Sequence, residues 1–393
     1  MSEPVTDGAP VTDGVYVMPI ALAPSPQSEP AIRLGGSMAY ASRFALVVRE
    51  PENGPGKARA RVTHRRVFGP EDADAALAEP GGSITQEAQR QWANLQRIHA
   101  PLQIGAHTIR LDQPQVMGVL NVTPDSFSDG GEFLDKPDAG RAHAAAMVEA
   151  GAAIIDIGGE STRPGGAATW EGDEIKRVVP AIEYVLEMGA AISVDTRRAG
   201  VLEAALNASN GAVMANDVSA MRYDPRMCDL VANAGVPAAL MHAPGTGDDL
   251  HDKAALSGGD YADAVCDVFD MLKSARARAI AGGVREDQIL LDPGIGFGKS
   301  LTDNLALLNA LPVFHALGSP LLVGVSRKRM IGALSNEEPA HERLGGSIAL
   351  AVRLMDAGVH VVRVHDVAET VQARNVWRGL RDAALTDFSA LPA

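Results

Sequence analysis

Val116-Met117-Gly118-Val119-Leu120, a continuous apolar run closed by the polar Asn121, is the first of a series. Similar runs recur at Ile154 to Ile157, Ile192 to Val194, Val213 to Ala215, Ala238 to Met241, Ile289 to Leu291, Leu321 to Val323 and Val361 to Val364. Most are followed by Gly, Asp, Asn or Ser and then by a longer Ala-rich stretch with helical spacing. Strands that read as continuously apolar are buried on both faces, as parallel strands covered by helices are. Eight βα units over roughly 280 residues predict an α/β chain of the TIM (β/α)8 barrel class, spanning residues 113–385. An open doubly wound sheet is the competing architecture, but it normally uses fewer strands.

Outside this repeat the texture changes. Residues 1–30 are rich in Pro, Ser, Asp and Glu without a lasting apolar period, so they are expected to be poorly ordered. Residues 31–112 read as a small N-terminal extension. It holds two strand-like pieces between Ser42 and Arg66, forming a hairpin across a Pro/Gly-rich turn, and a helix over Thr85 to His99 with His99 on its face. The formal net charge of −14 argues against a nucleic-acid or anionic-membrane partner, since either needs clustered Lys and Arg. No apolar run reaches the ~18 residues of a membrane helix. The acidic N-terminus lacks the basic start of a signal peptide, and two lone cysteines, Cys228 and Cys266, suit a reducing compartment. A cytoplasmic protein is expected.

Nearly every predicted strand ends in a polar residue: Asn121, Asp156, Asp195, Asn216 with Asp217, His242, Asp292, Ser326 with Lys328, and Arg363 with His365. In a closed parallel barrel all strand C-termini open on one face, so these residues meet in one pocket. Some serve turns or helix caps, and Asp156 and Asp217 are assigned that role. Asp195, Asn216 and Asp292 suit the N–H edge of a flat heterocycle, because a carboxylate accepts two parallel hydrogen bonds. Lys328, Arg363 and His365 suit a phosphate group, and Asn121 can offer an oxygen to Mg²⁺. Asp292-Pro293-Gly294-Ile295-Gly296-Phe297-Gly298-Lys299 matches neither the dinucleotide nor the P-loop glycine spacing. Its glycines are read as allowing a tight loop beside the ligand, with Phe297 packing on a ring or serving as an ordinary loop hydrophobe. Two Gly-punctuated loops, at 121–131 and 158–166, read as lids after the first and second strands.

The stretch from Met117 to Gly131 resembles the first signature of the dihydropteroate synthases, and Gly158-Gly159-Glu160-Ser161-Thr162-Arg163-Pro164-Gly165 resembles the second. Val194-Asp195-Thr196, Asn216-Asp217-Val218-Ser219, Met241-His242, Leu291-Asp292-Pro293-Gly294, Ser326-Arg327-Lys328 and Arg363-Val364-His365 follow in that family's order. The resemblance covers residues 114–382. It implies a transferase of folate biosynthesis that condenses (7,8-dihydropterin-6-yl)methyl diphosphate with 4-aminobenzoate. It further implies a pterin pocket of Asp195, Asn216, Asp292 and Lys328, with Met241 and Phe297 against the ring and Arg363 stacked on it. Asn121, Arg363 and His365 would hold the diphosphate and Mg²⁺, and Asp129 would support the reactive centre. Phe127, Thr162, Arg163, Pro164 and Ser326 would form the aminobenzoate site, which makes the chain a sulfonamide target. A homodimer through barrel helices is also implied, with residues 343–358 as a candidate surface.

The chemistry so implied is dissociative, which accords with the lack of a Ser-His or Cys-His pair. Two other readings stand beside it. A methyltetrahydrofolate-binding barrel shares a carboxylate-rich ring pocket but has no diphosphate to hold, and a silent pterin-binding scaffold would recruit partners through the extension.

Overall fold

The computed structural model describes residues 14–23, 25, 29–52, 59–123, 137–161, 169–254, 256 and 259–385. The extension comprises strands β1 (Gly14–Ala23), β2 (Ile32–Arg33), β3 (Tyr40–Glu52) and β4 (Arg59–Phe68), then helices α1 (Ala73–Ala78) and α2 (Gly82–Leu95) and a short hairpin, β5 (Leu102–Ile104) and β6 (His107–Ile109). Eight strands follow: β7 (Gln115–Asn121), β8 (Ile154–Gly158), β9 (Ala191–Asp195), β10 (Val213–Asp217), β11 (Ala238–Met241), β12 (Ile289–Asp292), β13 (Leu322–Gly324) and β14 (Val361–Val364). The helices among and after them are α3 (Pro137–Glu149), α4 (Glu171–Glu187), α5 (Ala199–Ala208), α6 (Met227–Ala234), α7 (Ala264–Ala281), α8 (Leu301–Ala310), α9 (Arg329–Leu334), α10 (Leu344–Asp356) and α11 (Val367–Leu385). No described helix is long and apolar enough to cross a membrane.

The eight strands pair in the order β12-β11-β10-β9-β8-β7-β14-β13. A parallel bridge between Leu291 and Leu321, with Leu291 N donating to Pro320 O at 2.9 Å, brings the two ends together. The sheet is therefore a barrel, as the eight apolar runs predict, and the open doubly wound sheet is excluded.

The side-chain period of two dictates what the barrel contains. Met117, Ile154, Ala191, Met214, Ala239, Leu290, Leu322 and Val361, one from each strand, form a buried apolar layer near the strand N-termini. Leu102, Ile104, Ile109 and Leu111 of the β5–β6 hairpin pack under this layer and plug the bottom. Two residues further along each strand the interior positions are Val119, Asp156, Ser193, Asn216, Met241, Asp292, Gly324 and Arg363. The upper barrel is thus polar by register, and Asp195 lies two residues above Ser193.

The extension is more ordered than its composition implies. Residues 14–23, expected to be poorly ordered, form β1 along Tyr40–Arg49 of β3, because Val15, Tyr16 and Val17 supply a buried apolar run among polar flanks. β3 and β4 make the expected hairpin. Helix α2 ends at Leu95, so His99 is not on its face; it is partly buried and meets His360 edge-on, ring centroids 5.2 Å apart. The extension also shares its core with the barrel helices. Tyr16 meets Phe269 of α7 edge-on at 5.4 Å, and the 3-10 segment Leu311–Leu317 is buried throughout. Asn94 Nδ2 donates to Ala316 O at 2.9 Å. His360 Nδ1 accepts from Leu321 N, so its Nε2 carries the proton and donates to Gly35 O at 2.9 Å.

Candidate active site

Arg363 organises the barrel mouth. From β14 its Nε donates to Asp156 Oδ2 at 2.5 Å and its Nη2 to Asp195 Oδ2 at 2.7 Å, while Asn216 Nδ2 lies 3.3 and 3.2 Å from the two Asp156 oxygens. Gly324 lies beside it, and a Cβ there would meet Arg363 Cβ at an ordinary contact distance of 3.6 Å. Burial opposes the charge on Arg363, but the two carboxylates outweigh it and hold the guanidinium firmly charged. Burial pushes Asp195 up to about 7, against the pull of Arg363. Asp156 was assigned to a turn or cap; the structure corrects this, since it is fully buried and is the inner anchor of Arg363. Asp217 does serve its turn, accepting from Ser219 N at 2.7 Å, Ser219 Oγ at 2.6 Å and Met221 N at 3.0 Å.

The opposite wall is the loop after β12. Asp292 Oδ1 accepts from Gly294 N at 2.7 Å, and burial raises its carboxyl pKa, with Lys328 opposing. Gly294 has φ +64°, and a Cβ there would sit 1.8 Å from His242 O, so only glycine fits. Lys328 Nζ contacts the Ile295 carbonyl and lies 5.2 Å from the Phe297 ring centroid; burial pushes its ammonium down to about 8, Asp292 opposing. Phe297 packs with Met241, Val218, Ala243 and Leu250 in a small apolar cluster at the mouth. Met241 and Phe297 thus come together as the ring contacts should.

Lys299 resolves the P-loop resemblance. Its Nζ reaches back to Gly294 O at 2.8 Å, Phe297 O at 3.0 Å and His242 Nδ1 at 2.9 Å. It is a strut inside the loop, with its amine turned from any ligand. Sequence reading missed this role; a lysine closing a Gly-rich loop that lacks P-loop spacing was the available signal.

Ser326 Oγ accepts from His365 N at 3.2 Å and lies 3.1 Å from His365 Nδ1. His365 was expected to help hold a phosphate as a cationic group. Burial, then Arg363 and Arg327, push its pKa down to about 3, so at neutral pH it can offer a hydrogen bond without a charge. Asn121 ends β7 beside Gly158 of β8. Its Oδ1 and Asp195 Oδ2 lie 3.4 and 3.8 Å from the point a Gly158 Cβ would occupy, so two hard oxygens face one gap. Mg²⁺ takes few protein ligands and completes its shell with water and phosphate oxygens, so this donor chemistry fits it. Among the described residues no group of three or more His, Cys, Asp and Glu could hold a metal by itself. Phe127, Asp129, Thr162, Arg163 and Pro164 lie outside the described residues.

One face therefore carries carboxylates and an amide, an apolar platform and cationic groups. Residues 117–365 match the family model described as pterin binding enzyme. The chain is 44% identical over 270 residues to the dihydropteroate synthase of Escherichia coli (strain K12), covering 68% of this chain and 92% of that protein. It is 45% identical over 267 residues to that of Mycobacterium leprae (strain TN), covering 67% and 92%. The solved dihydropteroate synthase of Xanthomonas albilineans with 4-aminobenzoic acid aligns with TM-score 0.66 and 41% identity, over 75% of this chain and 100% of that one. The same enzyme in complex with 7,8-dihydropteroate gives 0.62 and 39%, over 74% and 100%. The chain belongs to the pterin-binding enzyme family, and within it to the dihydropteroate synthases.

Proposed function

We propose that the barrel mouth condenses (7,8-dihydropterin-6-yl)methyl diphosphate with 4-aminobenzoate, yielding 7,8-dihydropteroate and pyrophosphate, as a transferase of folate biosynthesis. The observation that carries this reading is the shared floor of Asp195, Asn216, Asp292, Lys328 and Arg363, with no activated nucleophile among them. The carboxylates accept the N–H groups of the pterin edge, Lys328 donates to the ring, and Met241 and Phe297 pack on it. The exocyclic C–O bond breaks with its electron pair leaving on the diphosphate. The electron-rich ring holds the resulting cation, and the arylamine nitrogen forms the new C–N bond and releases a proton. Asn121, Arg363 and His365 face the diphosphate, and Ser326 joins Phe127, Thr162, Arg163 and Pro164 around the aminobenzoate, with Asp129 supporting the reactive centre.

Asp156 and Asp195 face Arg363 and Asp292 opposes Lys328, so the pocket has little surplus positive charge for a diphosphate. Asn121 would help hold Mg²⁺, which would supply positive charge to the leaving diphosphate. 4-Aminobenzoate shares its site with sulfonamides in this reading; a Yersinia pestis dihydropteroate synthase with a sulfonamide drug complex aligns with TM-score 0.66 and 41% identity, over 72% of this chain and 99% of that one. We read the protein as a cytoplasmic homodimer. Exposed Val376 and Leu380, one turn apart on α11, and Leu344 on the adjoining α10 support a partner on the barrel helices. Pyrophosphate release tests the reaction, with the pterin diphosphate, Mg²⁺ and 4-aminobenzoate omitted in turn. Release requiring all three, with dihydropteroate formed, is expected; tight pterin binding without product would refute it.

A further inference from the structure

Arg327, which takes no part in the steps above, stands where glycine is the ordinary residue. Val325 to Lys328 form a four-residue turn after β13, closed by Lys328 N donating to Val325 O at 3.3 Å. Its third residue, Arg327, has φ +58°. A positive φ at that position normally calls for Gly or Asn, because a Cβ crowds the backbone there. The loop after β12, at the same mouth, follows the rule: its left-handed positions are Gly294, Gly296 and Gly298. An arginine kept in this conformation has to be held by its surroundings.

It is held in two ways. Arg327 N donates to Ser347 Oγ at 3.0 Å and Arg327 O accepts from Arg343 Nη1 at 2.9 Å, so the start of α10 clamps both backbone groups. Gly332 of α9 leaves room for this clamp, since a Cβ there would lie 2.6 Å from Arg343 Nη2. Those two bonds reach only the backbone, and a glycine would make them equally well. The side chain adds a fork: Nε donates to Asp366 Oδ2 at 3.2 Å and Nη2 to Asp366 Oδ1, with both partners partly buried. Only this second contact requires an arginine.

The turn presents two residues of the site. Ser326, second in the turn, accepts from His365 N at 3.2 Å, and Lys328, the fourth, contacts the Ile295 carbonyl and lies 5.2 Å from the Phe297 ring centroid. Asp366 directly follows His365, so Ser326–His365 and Arg327–Asp366 are consecutive rungs between the turn and the end of β14. One rung would let the turn pivot about it; two side by side do not.

We propose that Arg327 is a positioning residue for Lys328: by anchoring a left-handed turn to Asp366 it fixes where the Lys328 ammonium enters the pocket. The charged groups facing that ammonium are Asp292, which favours its charge, and Arg363, which opposes it. The kinetic consequence rests on the synthase reading, whereas the consequence for pterin binding needs only the pocket. Glycine at 327 removes the strain and the fork together, so loss of function is separated from loss of fold.

The test compares Arg327→Gly, Asp366→Asn and the double variant in the full chain. It measures the Kd of 6-hydroxymethylpterin at pH 7 by calorimetry, and kcat/KM for the pterin diphosphate from pH 7 to 10. In each single variant the pterin Kd should rise at least fivefold. The alkaline limb set by Lys328 should move upward, because a turn free to swing outward returns the ammonium towards water. The double variant should bind within twofold of the weaker single, since both substitutions break one pair. Should Arg327→Gly not fold, Asp366→Asn keeps the shape of the pair and carries the same expectation. A Kd rise below fivefold or an unmoved pH profile in either folded single variant overturns the proposal, as do losses that multiply in the double variant. Absence of product from the unsubstituted protein would overturn the synthase reading instead, and the pterin Kd values would still decide the role of Arg327.

Discussion

Replacing Asp195 by Asn separates ring recognition from fold integrity. The carboxylate is largely enclosed, and its pKa is pushed up to about 7 by burial, with Arg363 opposing. An ionised carboxylate accepts two parallel N–H bonds; an amide accepts on one side and presents N–H to N–H on the other. One charged hydrogen bond lost, at about 1.5–3 kcal/mol, with a donor left facing a donor, makes roughly 3 kcal/mol a reasonable minimum. At 1.4 kcal/mol per tenfold this is a loss of about a hundredfold or more in affinity. The fold should survive, because Arg363 keeps Asp156 at 2.5 Å. The ligand of choice is 6-hydroxymethylpterin, which carries no phosphate to titrate, with binding followed by calorimetry from pH 5.5 to 8.5. The sign is fixed by which form binds: the ionised carboxylate accepts, so affinity is full above about 7 and falls towards tenfold per pH unit below it. Asp195→Asn should be weak throughout and flat across that range. Affinity of the variant within threefold of the parent at pH 8, or a parent affinity flat from pH 8 to 5.5, would refute the assignment.

The Lys328 ammonium is held down to about 8, so kcat/KM for the pterin diphosphate should fall as pH rises through that value, and Lys328→Met should remove this alkaline limb. Gly294→Ala forces a Cβ against His242 O in a left-handed backbone and should abolish pterin binding while lowering the urea midpoint. Chelation of Mg²⁺ should stop pyrophosphate release yet leave 6-hydroxymethylpterin binding within twofold, a split that titration calorimetry with excess EDTA would show. Asn94→Ala leaves the buried Ala316 carbonyl unpaired and should cost about 1–3 kcal/mol in urea unfolding. Deleting residues 1–110 uncovers Phe269 and Phe314 and removes most of the plug beneath the barrel, so an aggregated product is expected and a soluble, active one would count against a shared core.

The barrel was legible because each parallel strand is buried on both faces and each ends in a polar residue at the mouth. Asp195, Asn216, Asp292, Lys328 and Arg363 could be named for that reason. Asp156 was misplaced although the information was present. Counting two residues on from Ile154, the first interior position of β8, lands on Asp156 inside the barrel, whereas a capping residue would lie beyond the strand. The extension was harder to read for a physical reason. β1 is stabilised by β3, whose partner residues lie 17 (Ala23 to Tyr40) to 35 (Gly14 to Arg49) positions further along the chain, and by Phe269 of α7. Neither contact leaves a local periodicity.

The misreading of Asp156 bears on how the empty site is kept in working order. An arginine that is to stack on a ligand must not collapse onto the nearest carboxylate when no ligand is present. Arg363 is divided between Asp156 on the inner side and Asp195 on the outer, and these partners differ in kind. Asp156 has no solvent exposure and meets the Asn216 amide as well, so it is a permanent anchor. Asp195 is the group whose proton affinity burial has raised, and it is also the carboxylate a pterin edge can claim. On the proposed reading, the N–H groups of the ring would replace the outer half of the arginine's pairing while the inner half keeps the guanidinium in place. The site can exchange one hydrogen-bond partner without leaving Arg363 unpaired, which would cost far more than either contact contributes.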